Sequence, residues 1–316
     1  MIAIPLQFDL PKNLSAKKFI NKLSKNLDIQ LSSQQYTIKT FFDSFDWRLY
    51  NEGMICEFNH SHSVSQVSLI DRNSGKLLAL ENMQDVMRFS DQFPKGRLRT
   101  ILSPALEMRA LLSLCQLPHN VYQLNVLNKD QKIILRIQFD EHELIPNQLH
   151  LYPLKGYDKA LKKVRHILQN TFDLNPTKYS ILKEGLKLEG RKPKDYSSKV
   201  RINITPDMRA DKACKIIYQQ LIQAMQLNEA GMLADIDTEF LHNFRVAVRR
   251  TRAGLSQLKN TLPTKDINRY VEFFAWLGQI TGPTRDLDVY LLSYKKYKEV
   301  LPLSLREDLT PLYVFL

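Results

Sequence analysis

Basic side chains recur at regular intervals along one stretch of the sequence, spaced by three, four, three and seven residues. At about 100° per residue this spacing places them on one face of a helix, in a row about 25 Å long. From Phe240 to Lys265 there are six basic residues and no acidic one. Like charges on one face of a helix repel each other and destabilise it, so the arrangement calls for a functional reason. Binding of phosphate oxygens by arginine and lysine provides one. The pattern favours a ligand that is a row of negative charges, with a solvated basic face as an equally weighted alternative. The series is His242, Arg245, Arg249, Arg252 and Lys259.

Two other segments carry candidate ligands for such an anion. Arg209 and Lys212 lie on one side of the preceding predicted helix. Arg285 lies in the first turn of a later predicted helix, whose free N–H groups also attract anions. The neighbouring Asp286 and Asp288 either complement the helix dipole or orient an arginine. We therefore expect Arg285 to join the basic series, with Arg209, Lys212 and Lys259 in supporting roles.

The elements that carry these residues are predicted to be helices joined by short connections. Thr205, Pro206 and Asp207 form an N-terminal capping pattern for the first of them. Short connections favour antiparallel neighbours in a bundle. The predicted helices span residues 205–231, 237–262, 266–280 and 284–300.

The sequence before residue 189 has a different character. Short segments with β-branched or aromatic alternation, separated by turn residues, predict strands of an antiparallel sheet or barrel. Helices are predicted at 15–27, 104–114, 158–169 and 180–188, and a basic, proline-containing linker at 189–200. The fold class expected is therefore an α+β, barrel-like or tunnel-like domain followed by an all-α bundle. The predicted strands are residues 2–8, 36–43, 54–58, 64–71, 76–80, 121–127, 132–139 and 148–154.

Composition supports an ordinary soluble protein with an affinity for polyanions. The chain has 316 residues, 44% of them hydrophobic, and 45 basic against 33 acidic residues give a net charge of +12. No apolar run approaches the ~18 residues of a membrane span, and no secretory signal is present, so we expect a cytoplasmic protein.

The cysteines and histidines do not suggest a metal centre. Cys56, Cys115 and Cys214 are far apart and are interpreted as reduced, mostly buried thiols. Cys56, His60 and His62 lack a fourth ligand for a zinc site. We therefore expect neither a metal nor a cofactor.

Two segments of the predicted bundle resemble the CHAD family, the conserved histidine α-helical domain. They are Leu241–Leu255 and Gly282–Val289. The resemblance implies an all-helical fold of two four-helix repeats with a basic channel that binds inorganic polyphosphate. It spans residues 201–316 and only the first repeat, so a truncated domain is expected. The ligand-binding positions that it implies are His242, Arg245, Arg249, Arg252 and Arg285.

Residues 1–188 resemble a degenerate member of the CYTH family, which has the triphosphate tunnel fold. The resemblance rests on Thr40–Gly53, on Lys155 with Gly156, and on Tyr179–Leu188. The catalytic signature of the family is missing. Ala3–Gln7 stands in place of Glu-x-Glu-x-Lys, Leu149–Pro153 in place of an acidic strand, and Glu57 where a cation is expected. Hydrolysis in that fold requires carboxylates for Mg²⁺ or Mn²⁺ and cations for phosphate, so we expect no enzymatic activity.

These observations predict a non-catalytic polyphosphate-binding protein. An association with polyphosphate granules is a further part of this prediction. One alternative is a residual metal-dependent triphosphatase in the first domain, which the missing carboxylates disfavour. Another is a nucleic-acid binder, which is disfavoured because few aromatic residues accompany the arginines. The oligomeric state is left open, and no membrane association is expected.

Overall fold

The computed structural model describes residues 6–11, 13–174, 176, 181–197, 202–258 and 261–315. The chain divides into two compact units, residues 1–196 and 197–316. The first unit contains all eight strands, and the second contains only helices and turns in its described part. This arrangement confirms the predicted fold class, an antiparallel β domain followed by a helical domain.

One antiparallel sheet contains every strand of the first unit. Two of the strands are 16 residues long and pair along most of their length. The strands are β1 (Leu6–Leu10), β2 (Asp28–Asp43), β3 (Met54–Ser61), β4 (Ser65–Asp71), β5 (Leu77–Asn82), β6 (Leu112–Leu127), β7 (Ile133–His142) and β8 (Asn147–Pro153). Their order across the sheet is β1-β8-β7-β6-β2-β3-β4-β5. All eight line one central cavity, so the sheet curls around it.

Five helices accompany the sheet in the part of the chain that the structure describes, and two of them differ from the sequence-based expectation. The short helix Arg48–Asn51 was not predicted. The helix predicted at 104–114 is wrong, because the helix ends at Leu106 and Leu112 begins a strand. The apolar run after residue 109 fits either period, and pairing with the end of β2 decides in favour of a strand. The helices are α1 (Ala16–Leu23), α2 (Arg48–Asn51), α3 (Arg97–Leu106), α4 (Asp158–Phe172) and α5 (Ile181–Leu188), with a 3₁₀ turn at Ser90–Gln92.

The two faces of the sheet have opposite chemical character. Along β7, Leu135 and Ile137 are fully buried in a core that includes Phe19 of α1 and Leu168 of α4. Gln138, which lies between the core residues Ile137 and Phe139, lines the central cavity. Since successive strand residues point to opposite faces, the alternating sequence produces an apolar outer face covered by helices and a polar inner face.

Part of the predicted linker is packed against the first unit. Asp195 accepts hydrogen bonds from the Trp47 indole (2.9 Å) and from Arg191 (2.9 Å). The Tyr196 ring meets Phe45 edge-on, with 4.9 Å between ring centroids. Residues 191–196 are therefore held by specific contacts, whereas the sequence places them in a solvated linker.

The second unit is helical, with boundaries close to those predicted. Asp237 caps its second helix by accepting a hydrogen bond from the Glu239 amide at 3.0 Å. The first helix begins at Ala210 and not at Thr205, because Arg209 has an extended backbone (ψ 139°). The helices are α6 (Ala210–Leu233), α7 (Thr238–Gln257), α8 (Thr264–Ile280), α9 (Gly282–Val300) and α10 (Thr310–Phe315), with 3₁₀ turns at Leu303–Leu305 and Glu307–Leu309.

Helices α8 and α9 are not an antiparallel pair. Only Thr281 separates them, and its backbone is helical (φ −91°, ψ −5°). A reversal between antiparallel helices needs a loop of about two to five residues. The apolar core of this unit joins α6, α7 and α8 through residues such as Leu221, Phe244 and Phe274, whereas no residue of α9, all of which is described, is buried.

Two further expectations concern cysteines and membranes. Cys56, Cys115 and Cys214 are all buried, as predicted. His60 and His62 are exposed, and within the described ranges no group of three or more His, Cys, Asp or Glu side chains is arranged to hold a metal ion. Among the described helices, none has the length and apolar character needed to cross a membrane.

The buried His142 makes the stability of the first unit sensitive to acid. Its ring stacks on His119, with 4.7 Å between centroids, and among the described residues neither ring nitrogen has a hydrogen-bond partner. Burial, and to a smaller extent the charge of the neighbouring His119, lower the pKa of His142 to about 3. The unfolded chain therefore takes up a proton below its ordinary pKa of ~6.5, while the folded chain does not. Stability is lost as the pH falls from that value toward 3.

We expect His142→Phe to reduce this sensitivity to acid. The free energy of unfolding of His142→Phe minus that of the native chain should be about 2 kcal/mol larger at pH 5 than at pH 8, so the variant is relatively more stable in acid. Urea unfolding at both pH values measures the difference. His62→Phe, the same change at an exposed position, should show no such dependence, and parallel pH profiles for native chain and His142→Phe would contradict the assignment.

Candidate anion-binding site

Helix α7 separates an apolar face from a basic face, as its sequence predicts. Phe240, Phe244 and Leu255 are buried, and Thr251 is buried with its hydroxyl donating to the Ala247 carbonyl at 2.9 Å. The spacing of these apolar residues along the sequence predicts Leu258 on the same face, but Leu258 is exposed, because α7 ends at Gln257. The apolar face fixes the rotation of α7 on α6 and α8, and this rotation turns the basic residues toward a cavity.

That cavity has a volume of about 360 Å³ and brings together all five principal predicted residues. Four come from α7 and one from α9, while Gly278 of α8 and three valines complete the lining. No acidic residue is among the described residues that line it. The basic residues are His242, Arg245, Arg249, Arg252 and Arg285.

Arg245 is the most firmly held of these side chains. Its Nη1 donates to the Gly278 carbonyl at 2.9 Å and to the Thr281 hydroxyl at 2.7 Å. The Thr281 hydroxyl in turn donates to the Leu277 carbonyl at 2.8 Å. The Arg245 guanidinium is therefore oriented at the junction of α8 and α9, which limits the rotamer entropy that it would lose on binding an anion.

Arg285 is held by a carbonyl and by a carboxylate. Its Nη1 donates to the Thr238 carbonyl at 3.2 Å and lies 3.7 Å from Asp288 Oδ2. Burial raises the pKa of Asp288, the Arg285 charge opposes this, and the carboxylates of Asp235 and Glu239 raise it further. Of the two roles considered for Asp288, the structure supports orientation of the arginine, and part of the Arg285 charge is balanced locally.

Arg249 and Arg252 are exposed, so the cavity reaches the surface along α7. Gly278 leaves space beside Arg252, since a Cβ there would lie 3.3 Å from the Arg252 Nη1. These two guanidiniums can follow a ligand that continues out of the cavity.

The supporting residues are not part of the cavity lining. Arg209 is exposed and pairs with Asp211 at 3.0 Å, two positions along the chain. Lys212 is exposed on α6. The physical reason is the late start of α6, which leaves Arg209 outside the helix. Lys259 lies outside the described residues.

Sequence reasoning missed the residues that position the arginines. Gly278 and Thr281 supply the acceptors for Arg245, and Thr238 supplies one for Arg285. The spacing of basic residues on α7 contains no information about these partners, because they belong to other helix ends. The Gly282–Val289 motif lies directly after Thr281 and is the nearest available signal.

The comparisons with known proteins fit this division of the chain. Residues 216–314 match the CHAD domain family. The resemblance inferred from the two motifs is thereby confirmed for the helical unit. The CHAD match begins inside α6, includes all five basic cavity residues and excludes Arg209 and Lys212. No curated protein matches the chain.

Solved structures similar to the first unit include three proteins named as putative adenylate cyclases, from Vibrio parahaemolyticus, Hippeastrum and Bacillus halodurans. Their sequences are 12%, 11% and 15% identical to this chain, and their TM-scores are 0.40, 0.43 and 0.41. The matches cover 59%, 61% and 57% of this chain and 98%, 99% and 94% of theirs. The Hippeastrum protein is described as having a dominant triphosphatase activity. Likenesses this distant assign no activity to the chain.

Gly231 sets the contact between α6 and the start of the basic helix α7. It is buried near the end of α6, and a Cβ at this position would overlap the Phe240 ring of α7. We expect Gly231→Ala to destabilise the helical unit by about 1–3 kcal/mol, because overpacking forces the two helices apart. Thermal unfolding followed by circular dichroism measures the change.

Gly254→Ala is the matched control. Its Cβ would lie 3.0 Å from the hydroxyl at the tip of Tyr218, which can move. The helix propensity of alanine offsets part of the cost, so its effect should be smaller. Equal destabilisation by both substitutions would show that the close contact between Gly231 and Phe240 does not determine the loss of stability in Gly231→Ala.

Proposed function

We propose that the helical unit binds inorganic polyphosphate through its basic cavity. One observation carries the proposal, namely that four arginines and a histidine line a single cavity with no acidic side chain in its described lining. The CHAD match over the same residues supports it. Arginine forks bind phosphate oxygens in pairs, and a chain of phosphates provides an oxygen pair for each arginine along α7.

The two kinds of arginine have different tasks in this proposal. Arg245 and Arg285 are held in place by backbone carbonyls, so they provide fixed donors at the inner end of the cavity. Arg249 and Arg252 are exposed and extend the basic row. A short polyphosphate therefore needs the first pair, and a longer chain gains the second.

The lining favours polyphosphate over nucleic acid. Besides the basic residues it contains Val246, Val248, Val289 and Gly278, and its described residues include no phenylalanine, tyrosine or tryptophan on which a base could stack. Proteins that bind single strands combine a basic groove with such aromatic side chains. A ligand made only of phosphates needs no aromatic partner, and the arginines and His242 supply the hydrogen-bond donors that its oxygens require.

Removing Arg249 or Arg252 should weaken polyphosphate binding. We expect Arg249→Gln and Arg252→Gln to raise the Kd for long-chain polyphosphate about 10-fold each, since a hydrogen bond to a charged group contributes about 1.5–3 kcal/mol. Each should also make the slope of log K against log salt about one unit shallower, by analogy with DNA binding. Calorimetric titration at several salt concentrations gives both values.

The matched control is Arg250→Gln, an exposed arginine on the same helix that does not line the cavity. It should change the Kd less than twofold. A parallel titration with RNA tests the alternative. An equal loss in all three variants, or tighter binding of RNA than of polyphosphate, would contradict the proposal.

We also propose that the first unit does not hydrolyse triphosphate. At the start of its sheet Gln7 is paired with His150 of β8, and Tyr152 lines the same cavity. Glu57 lies 3.6 Å from Lys39 and is thereby committed to an ion pair. Amide, imidazole and phenol groups replace the acidic positions on which metal-assisted phosphoryl transfer depends.

We expect no release of phosphate from tripolyphosphate above the rate without protein, with either Mg²⁺ or Mn²⁺. A colorimetric phosphate assay measures this, and cooperative thermal unfolding of the β-rich first unit in the same sample, followed by circular dichroism, shows that this unit is folded. Metal-dependent release that is abolished by Glu57→Gln would overturn the proposal and assign a catalytic role to the first unit.

A further inference from the structure

A second cavity lies in the first unit, and the proposed polyphosphate binding does not use it. It has a volume of about 830 Å³ and lies on the inner face of the sheet. All eight strands contribute to its lining. Small-molecule sites in proteins range from about 300 to 1,000 Å³, so this cavity has the size of a ligand site.

The charged residues that line this cavity balance one another. Lys39 and Arg72 are matched by Glu57 and Asp71. Lys39 and Glu57 form an ion pair at 3.6 Å, with side chains only 12% and 11% exposed. Burial disfavours the charged form of Lys39, but Glu57 and the fully buried Asp140 together raise its pKa. The cavity consequently has no surplus of positive charge with which to hold a polyanion.

Uncharged hydrogen-bonding groups make up most of the polar lining. Several of them are fixed by one another, since Gln123 Nε2 donates to Gln138 Oε1 at 2.9 Å and Gln138 Nε2 donates to Asp140 Oδ1 at 2.7 Å. Each amide offers both donors and acceptors. The amide side chains that strands β2, β3, β4, β6, β7 and β8 contribute to the lining are Gln35, Asn59, Gln66, Gln123, Gln138 and Gln148.

Three residues of the lining, Thr37, Arg72 and Gln148, each have a buried side-chain polar atom with no hydrogen-bond partner among the described residues. The two uncharged ones, Thr37 and Gln148, point to a ligand. Thr37 is 5% exposed and Gln148 is 1% exposed, and both line the cavity. Among the described residues, neither Thr37 Oγ1 nor Gln148 Nε2 has a hydrogen-bond partner. A buried polar group without a partner costs about 1–3 kcal/mol. A ligand with hydroxyl groups would satisfy the Thr37 hydroxyl and accept from the Gln148 amide.

We propose that this cavity binds a small, uncharged polyhydroxyl compound, that is, a sugar or a polyol. Hydroxyl groups match amides that both donate and accept, while Ile55, Ile70 and Val121 in the same lining fit the C–H surfaces of such a molecule. A phosphorylated ligand would leave its charge unmatched. A nucleoside is the less favoured neutral ligand, because its flat base would have Tyr152 and imidazole rings as its only aromatic partners in the described lining.

Ligand-observed NMR on the full chain tests the proposal, with glucose, maltose and sorbitol as probes at millimolar concentration. At least one probe should receive saturation transfer from the protein. Its Kd should rise about 10-fold or more in Gln148→Leu and in Thr37→Val, because each loses a hydrogen bond in a desolvated site. Gln34→Leu, an exposed glutamine of β2 outside the cavity, should leave the Kd unchanged.

Thermal unfolding of the three variants shows whether they are folded. We expect both cavity variants to fold, because each replaces a polar atom that has no partner among the described residues by an apolar one. Adenosine and tripolyphosphate serve as competing probes. The proposal is overturned if none of the three polyhydroxyl probes binds, if only adenosine or tripolyphosphate binds, or if binding is unchanged in both cavity variants. Polyphosphate binding by the helical unit is measured separately and does not depend on the outcome.

Discussion

The hydrogen bonds from Arg245 to Gly278 and Thr281 are the contacts on which the basic cavity depends. They connect the middle of α7 to the point where α8 passes into α9. Helix α9 has no buried residue to hold it by apolar packing. Its position relative to α7 therefore relies on polar contacts, of which Arg245 to Thr281 and Arg285 to Thr238 are the clearest. The side chains proposed to bind the ligand also hold the walls of its site together.

The first unit follows the same logic on a sheet. Alternation places Leu149 and Leu151 of β8 in the core and His150 of the same strand in the cavity. The helices cover the outer face, so the curl of the sheet is compatible with a polar interior. Charged groups in that interior lie close to a group of opposite charge. Lys39 and Asp140 are both shielded from solvent, and each favours the charged form of the other. Burial opposes ionisation of Asp140, but hydrogen bonding and charge from His150 and Lys39 hold its pKa below the ordinary range.

The elements of this chain that were predictable from sequence are those whose pattern is local. The basic row of α7 and the alternation in the strands are periodic patterns that can be read along the chain. The start of α7 after Asp237 is likewise marked by local residue types. The helix predicted at 104–114 failed because residues 110–117 fit two periods, and the partner strand that decides between them lies some seventy residues earlier. Strand β2 begins at Asp28, well before the alternating segment at 36–43, because its polar first half pairs with β6.

The cavity residues divide in the same way. The four arginines and His242 were predictable because residue type and spacing are visible in the sequence, whereas Gly278 and Thr281 act through backbone and hydroxyl acceptors at helix ends. The inner face of the sheet was missed altogether, since glutamine and threonine in strands usually indicate solvent exposure. Only the closure of eight strands around one space turns Gln148 and Thr37 into buried groups.

The arginines of the basic cavity differ in their surroundings, and this difference bears on how a polyanion would be held. Arg285 is next to Asp288, whose pKa is raised by burial and by Asp235 and Glu239. An anion that approached Arg285 would compete with this carboxylate, so the net gain there is smaller than for an arginine without one. Arg245 meets only neutral acceptors in its recorded hydrogen bonds. Its charge therefore remains available to the ligand, and its orientation is already fixed. For this reason we expect Arg245 to contribute more to binding at the inner end of the cavity than Arg285 does.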